Sequence, residues 1–163
     1  MKKSVLSLFV TVVLSISAFS NDDVYLGAGL GIQDASAYDT GFSIVLNGGA
    51  SIDNIKVEKG YFGLEGEFTH SLLKPSSGNT EVAFTSVAGY LAYYVDVNED
   101  VYAKSKLGLA YVTTDSNSNY DGIRPSLGAA IGFNMEKNIS FYTEYTILSS
   151  IVSNLTFGIR FKL

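Results

Sequence analysis

The stretch NLTFGIRFKL, Asn154–Leu163, alternates from end to end. Leu155, Phe157, Ile159, Phe161 and Leu163 take every second position, with Thr156, Gly158, Arg160 and Lys162 between them. Successive side chains of a strand point to opposite faces, so this is a ribbon apolar on one face and polar or small on the other. A similar ribbon stands near the other end. Val24–Gln33 sets Leu26, Ala28, Leu30 and Ile32 against Tyr25, Gly27, Gly29, Gly31 and Gln33. Its crowded glycines do not make a phosphate loop, which needs a strand before it and a helix after it. They suit a tight interior opposite bulky side chains.

Between these ends the alternation returns. Gly41–Ala50 opposes Phe42, Ile44 and Leu46 to Ser43, Val45 and Asn47, with Val45 blurring the pattern. Tyr61–Leu72 opposes Phe62, Leu64 and Phe68 to Tyr61, Gly63, Glu65, Glu67 and Thr69. A fourth strand, about Glu81–Val95, is irregular. Val82 and Phe84 share one parity and Leu91, Tyr93 and Val95 the other, which a bulge would reconcile. Val101–Thr113 sets Ala103, Leu107, Leu109 and Tyr111 against Lys104, Lys106, Gly108 and Ala110. Ile123–Met135 sets Leu127, Ala129, Ile131, Phe133 and Met135 against Ser126, Gly128, Ala130, Gly132 and Asn134, with Pro125 near one end, where a missing donor matters least. Ile139–Ile147 sets Phe141, Thr143 and Tyr145 against Ser140, Tyr142, Glu144 and Thr146.

Polar segments connect the strands. Asp34–Thr40, Lys74–Thr80, Thr114–Gly122 and Leu148–Ser153 read as loops at one end, and Ser51–Gly60, Asp96–Asp100 and Glu136–Asn138 as turns at the other. The loops are short, about 5–9 residues, near ordinary connection lengths. That argues against a large adhesive surface.

Composition narrows the class. The chain has 163 residues, one domain's worth, and 47% of them are apolar, yet past the first twenty no apolar run approaches the length of a membrane-spanning helix. Apolar residues spread thinly in alternation are what a barrel in lipid requires, with its polar side turned inward. Only two prolines interrupt a sheet in which every N–H needs a partner. With no cysteine, disulfides, lipid-modified cysteines and thiolate metal sites are excluded. Setting aside Lys2 and Lys3 leaves nine basic residues against 16 acidic ones, a net −7, which offers no footprint for nucleic acid. The fold expected is therefore all-β, an eight-stranded antiparallel up-and-down transmembrane β-barrel. Eight being even, both ends of the chain fall on the periplasmic side and the four loops face outward.

The first residues have another purpose. Met1-Lys2-Lys3 is a basic start, Val5–Phe19 is apolar apart from Ser and Thr, and Ala18-Phe19-Ser20 presents small residues for cleavage. Residues 1–20 are read as a cleaved secretory signal peptide and 21–163 as the barrel domain.

With these strands in view, the chain resembles the small eight-stranded outer-membrane barrels, the group of the OmpA transmembrane domain and the OmpX-like proteins. The sharpest part of the likeness is the C-terminal assembly signal, polar–x–Gly–x–x–apolar–x–apolar, borne here by Thr156, Gly158, Phe161 and Leu163. Most members end in an aromatic residue. Leu163 departs from that, so recognition by the barrel-assembly machinery is expected to persist in weakened form. The resemblance implies a monomer in the outer membrane of a Gram-negative cell, in contact with outer-membrane lipid and lipopolysaccharide. It gives no ground for peptidoglycan anchoring, which in OmpA belongs to a further domain.

Parity places Glu65, Glu67, Lys104, Lys106, Glu144 and Arg160 in the lumen, and Lys162 too, near enough to the end for water to reach it. Enclosed charges are costly unless paired, and three acids facing three bases can form a neutral network. OmpA has a similar layout, with acid on strands three and seven and base on five and eight. An eight-stranded interior is just wide enough for side chains, so a lumen plugged by ion pairs is the expectation, and a narrow porin-like channel for ions or small solutes the alternative.

Other chemistry fares worse. Some small barrels act on lipid A through a His and a Ser meeting on one face, but His70, the single histidine, adjoins Ser71, and neighbours in a strand face opposite ways. No enzymatic activity is expected. His70 reads as an interfacial residue near the outer rim. One histidine leaves only carboxylates for a metal, so no metal site and no cofactor is called for. Asp34, Asp39, Asp115 and Asp121 read as solvated loop acids rather than ligands for the cations of the lipopolysaccharide layer. Tyrosines and phenylalanines near strand ends read as interfacial girdles. The role expected is structural or in surface interaction within the envelope.

Overall fold

The computed structural model describes residues 24–36, 38–57, 60–115 and 121–163. The expected leader at 1–20 lies outside them, as do residues 116–120 of the third loop.

The alternating segments form long strands: β1 (Val24–Ala35), β2 (Gly41–Val57), β3 (Gly60–Leu73), β6 (Phe84–Asp96), β7 (Val101–Thr114), β8 (Gly122–Glu136), β9 (Ile139–Ser149) and β10 (Val152–Lys162). Each pairs antiparallel with its sequence neighbour in the wall, and β1 closes on β10, from Tyr25 opposite Lys162 to Ala35 opposite Val152. The result is a closed eight-stranded barrel. Closure leaves no sheet edge, which is the condition for strands in lipid. The two faces of the wall differ as the alternation requires. Leu30, Leu107, Leu109, Ile123 and Phe157 are exposed on the outside, while Gln33, Asn47, Glu65, Lys104 and Thr146 are buried inside.

Three connections differ from their reading in the sequence. The turn expected over Ser51–Gly60 is largely strand. β2 runs to Val57 and β3 begins at Gly60, with a register shift between Ile52 and Lys56 that absorbs three extra residues. The loop expected over Leu148–Ser153 tightens to a turn, because Leu148 and Val152 both bury their side chains inside the barrel mouth. Within Lys74–Thr80 the chain builds a small hairpin, β4 (Ser76–Ser77) and β5 (Thr80–Glu81), turning at Gly78 with φ +60°. That angle is the one a tight hairpin turn demands of its first central residue.

The fourth wall strand also corrects an expectation. β6 starts at Phe84, and its register with β3 runs unbroken from Tyr94 opposite Tyr61 to Thr85 opposite His70. There is no bulge. Phe84, Ser86, Ala88, Tyr90, Ala92 and Tyr94 all point inward. Phe84 misled because the interior at the loop end is apolar: Ala35, Val82, Phe84, Val112, Leu148 and Val152 pack there, with Tyr38 and Ile151 against them. Where the lumen is apolar, an apolar residue no longer marks the outside.

Candidate functional site in the barrel lumen

Below the apolar cap, four strands deliver charge to one level of the lumen. β3 carries Glu65 and Glu67, β7 carries Lys104 and Lys106, β9 carries Glu144 and β10 carries Arg160. Spacing of two keeps both acids of β3 and both lysines of β7 on the inner face. Lys106 Nζ is held by three carboxylates, with Glu67 Oε2 at 2.5 Å, Glu65 Oε1 at 3.1 Å and Glu144 Oε1 in contact. Lys104 Nζ bridges Glu65 Oε2, at 2.7 Å, and Glu144 Oε2. Both lysine side chains have no solvent exposure. Three acids and three bases give the layer no net charge, the arrangement that offsets the cost of taking them out of water.

The same three carboxylates, Glu65, Glu67 and Glu144, lie close enough to share a cation. Two ammonium groups already occupy that position, so the donor set is satisfied by the chain itself.

Arg160 is held differently. Its guanidinium stacks on Tyr25, with Cζ 3.9 Å from the ring centroid, and lies 5.5–5.6 Å from the centroids of Tyr94, Tyr102 and Tyr142. A cation over aromatic faces is stabilised by the ring quadrupoles. Glu65 Oε2 stands 3.8 Å from Nη2, an ion pair without a hydrogen bond. The tyrosines in turn bind the charged layer: Tyr25 donates to Glu65, and Tyr94 donates to it at 3.3 Å. Lys106 Nζ lies 4.1 Å from the Tyr90 centroid. These lumenal tyrosines belong to the interior rather than to a girdle; of the five, alternation in the sequence places Tyr25 and Tyr142 inward, along with Tyr61, whose ring stacks on that of Tyr94. The missing signal was parity with known lumen charges, since Tyr102 lies two residues before Lys104.

Between the ions and the apolar cap runs a neutral polar layer. Ser43 donates to Asn154 Oδ1 at 2.8 Å, Asn154 Nδ2 donates to Thr156 at 2.9 Å, and Ser71 donates to Gln33 Oε1 at 2.5 Å. Asn47 Nδ2 donates to Tyr142 at 2.9 Å, tying this layer to the ring cluster.

The remaining residues singled out in the sequence are dispersed. His70 and Ser71 face opposite sides of the wall: His70 Nδ1 pairs with Thr85 Oγ1 on the outside, at 2.8 Å, whereas Ser71 is lumenal. No nucleophile–base pair forms between them. Asp115 accepts from Lys74 Nζ at 2.6 Å and from the Ala83 N–H at 2.8 Å, while Asp121 accepts from the Thr114 N–H at 2.8 Å. Asp34 and Asp39 are exposed. At the end of β10, Thr156 and Gly158 are turned inward and Phe161 outward, with Leu163 exposed beyond the strand. Lys162 is exposed at the turn end.

Comparison with known proteins agrees with this architecture. No curated protein sequence matches the chain. Several solved structures share its fold at low identity, three of them as follows. The outer membrane protein OprG of Pseudomonas aeruginosa is 11% identical over 88% of this chain and 97% of its own, with a TM-score of 0.59. Ail, the attachment invasion locus protein of Yersinia pestis, is 14% identical over 87% and 97%, with a TM-score of 0.57. Neisserial surface protein A is 17% identical over 86% and 97%, also with a TM-score of 0.57. The family model for the outer membrane protein beta-barrel domain matches residues 6–161. Closed eight-stranded topology, a lipid-suited outer wall and that match lead to one conclusion: the chain belongs to the outer membrane protein β-barrel family.

Proposed function

We propose that the protein is a monomeric structural or surface-interaction barrel of the Gram-negative envelope, its lumen plugged by ion pairs. The observation that carries this reading is Lys106, with no exposed side-chain surface and three carboxylates around its Nζ. A water-filled path would leave such a group hydrated; here the chain supplies all its partners. The apolar cluster of Val82, Phe84, Leu148 and Val152 packed at the loop end supports the same reading.

In this reading residues 1–20 are a signal peptide cleaved after Ser20, and the four loops face the cell exterior among lipopolysaccharide. Thr156, Gly158, Phe161 and Leu163 address the chain to the barrel-assembly machinery. Mass measurement of the exported protein checks the leader, a mature chain starting at Asn21 being expected.

Conductance across a planar bilayer tests the plug. The wild-type protein should hold the bilayer closed, and Lys104→Met or Glu65→Gln should admit current by breaking the network. Steady conductance of the wild type, with altered ion preference in these variants, would replace the plug with a narrow channel.

A further inference from the structure

At the turn end the lumen opens into a vestibule of about 630 Å3. Tyr25, Tyr102 and Arg160 form its floor. Arg160 is only 7% exposed and Tyr102 6%. Yet Arg160 Nε and Nη2 and the Tyr102 hydroxyl have no hydrogen-bond partner among the described residues. Buried donors left unpaired are uncommon and costly. Nε and Nη2 share one edge of the guanidinium, the edge that meets both oxygens of a carboxylate in a bidentate pair. Arg160 lines the vestibule, and for a ligand there to meet that edge the end of the Arg160 side chain must rotate toward the opening.

The rim has the opposite character. Asp96, Glu99, Asp100 and Glu136 line it, against Lys137 and Lys162. That excess of negative charge disfavours a multiply charged anion. The ion layer behind the floor is already neutral, so a ligand bringing net charge would unbalance it. A ligand with a carboxylate at one end and an ammonium at the other does neither.

We propose that this vestibule binds a small zwitterionic peptide. Its carboxylate engages Arg160 and Tyr102 at the floor, and its ammonium lies among the rim acids. The volume is that of an ordinary small-molecule site and suits roughly two or three residues. Access from the periplasm rests on the outer-membrane orientation proposed above. Binding itself does not, and it can be measured on the barrel in micelles whatever the conductance result.

The test is a titration of the mature chain, refolded in detergent, with dialanine, followed through the Arg160 Nε–H and Tyr102 ring resonances. Saturable shifts of both are expected. Dialanine amide should bind roughly ten- to a hundredfold more weakly, the range for losing a charge-assisted hydrogen bond. N-acetyl-dialanine and plain acetate should each bind severalfold more weakly than dialanine. Arg160→Lys should abolish the shifts at Tyr102. Because that variant disturbs the ring stack and can impair folding, Tyr102→Phe and Glu136→Gln are measured beside it, each expected to weaken binding severalfold. The absence of saturable shifts up to about 50 mM, a concentration beyond the weakest specific binding, would overturn the proposal. So would equal affinity for the acid and its amide, or for dialanine and acetate.

Discussion

Glycine in the lumen is a question of what lies across from it. The rings of Tyr102 and Tyr142 rest against backbone without side chains: a Cβ on Gly132 would overlap the Tyr102 ring, and one on Gly158 would stand 2.5 Å from Tyr142 Cζ. At Gly108 the obstacle is firmer, because a Cβ would overlap the carbonyl oxygen of Gly89 in the next strand. A ring can shift, whereas that carbonyl is fixed in the wall. Gly108→Ala should therefore destabilise the barrel by about 1–3 kcal/mol, the range for overpacking, and Gly132→Ala by less. Urea unfolding in lipid vesicles measures both. The charged residues make a sharper case. Lys106→Met leaves Glu65, Glu67 and Glu144 facing one another with one ammonium fewer, and breaking such a buried pair costs about 3–5 kcal/mol. Adding Glu67→Gln removes one of the stranded charges, so the double variant should recover part of the loss in the same assay.

At the scale of elements, the described residues of the connections at the loop end are tied to one another. The β4–β5 hairpin is held by Asp39 N–H donating to Ser76 O at 2.6 Å and by Val82 N–H donating to Pro75 O at 3.0 Å. Asp115, just past β7, ties this assembly to the third connection through Lys74 and Ala83. Its partial burial works against ionisation, but the hydrogen bonds from Lys74 and the Ala83 N–H outweigh that and hold its carboxyl below the ordinary value of 3.8. A carboxyl whose pKa is lowered on folding stabilises the latch above its ordinary pKa, and that stabilisation is lost as pH falls through the lowered value. The Ala83 amide shift should report a transition below pH 3.8, and Asp115→Asn should abolish it at a stability cost under about 1 kcal/mol, as fits an exposed pair. None of these latches was legible in the sequence, because they depend on which loops come to lie side by side. The wall strands were legible, since lipid outside and polar groups inside impose period two on nearly every segment. The lumen charges could be placed for the same reason. Legibility failed where the interior itself turns apolar, at Phe84 and Leu148, and where Tyr90, Tyr94 and Tyr102 were as acceptable inside as at an interface.

For the whole molecule, closure is the property on which everything else depends. The β1–β10 seam joins residues more than a hundred positions apart in sequence, from Tyr25 with Lys162 to Ala35 with Val152. No local turn enforces it. What enforces it is the solvent: in hydrocarbon an unpaired N–H or C=O costs several kcal/mol, so an open sheet has no stable place. A donor removed from mid-seam should therefore be far more damaging than one removed near a strand end. Phe157 stands opposite Leu30 on one side and Thr143 on the other, in the middle of both ladders. Pro125 lies near the start of β8, opposite Leu109, where the barrel already accommodates a missing N–H. Unboiled in detergent gels, the wild-type barrel should migrate apart from its boiled form and give a β-sheet circular dichroism spectrum. Phe157→Pro should leave only the unfolded band, while Pro125→Ala should keep both bands. If Phe157→Pro still gave a heat-modifiable band, closure through β10 would not be what holds the barrel together.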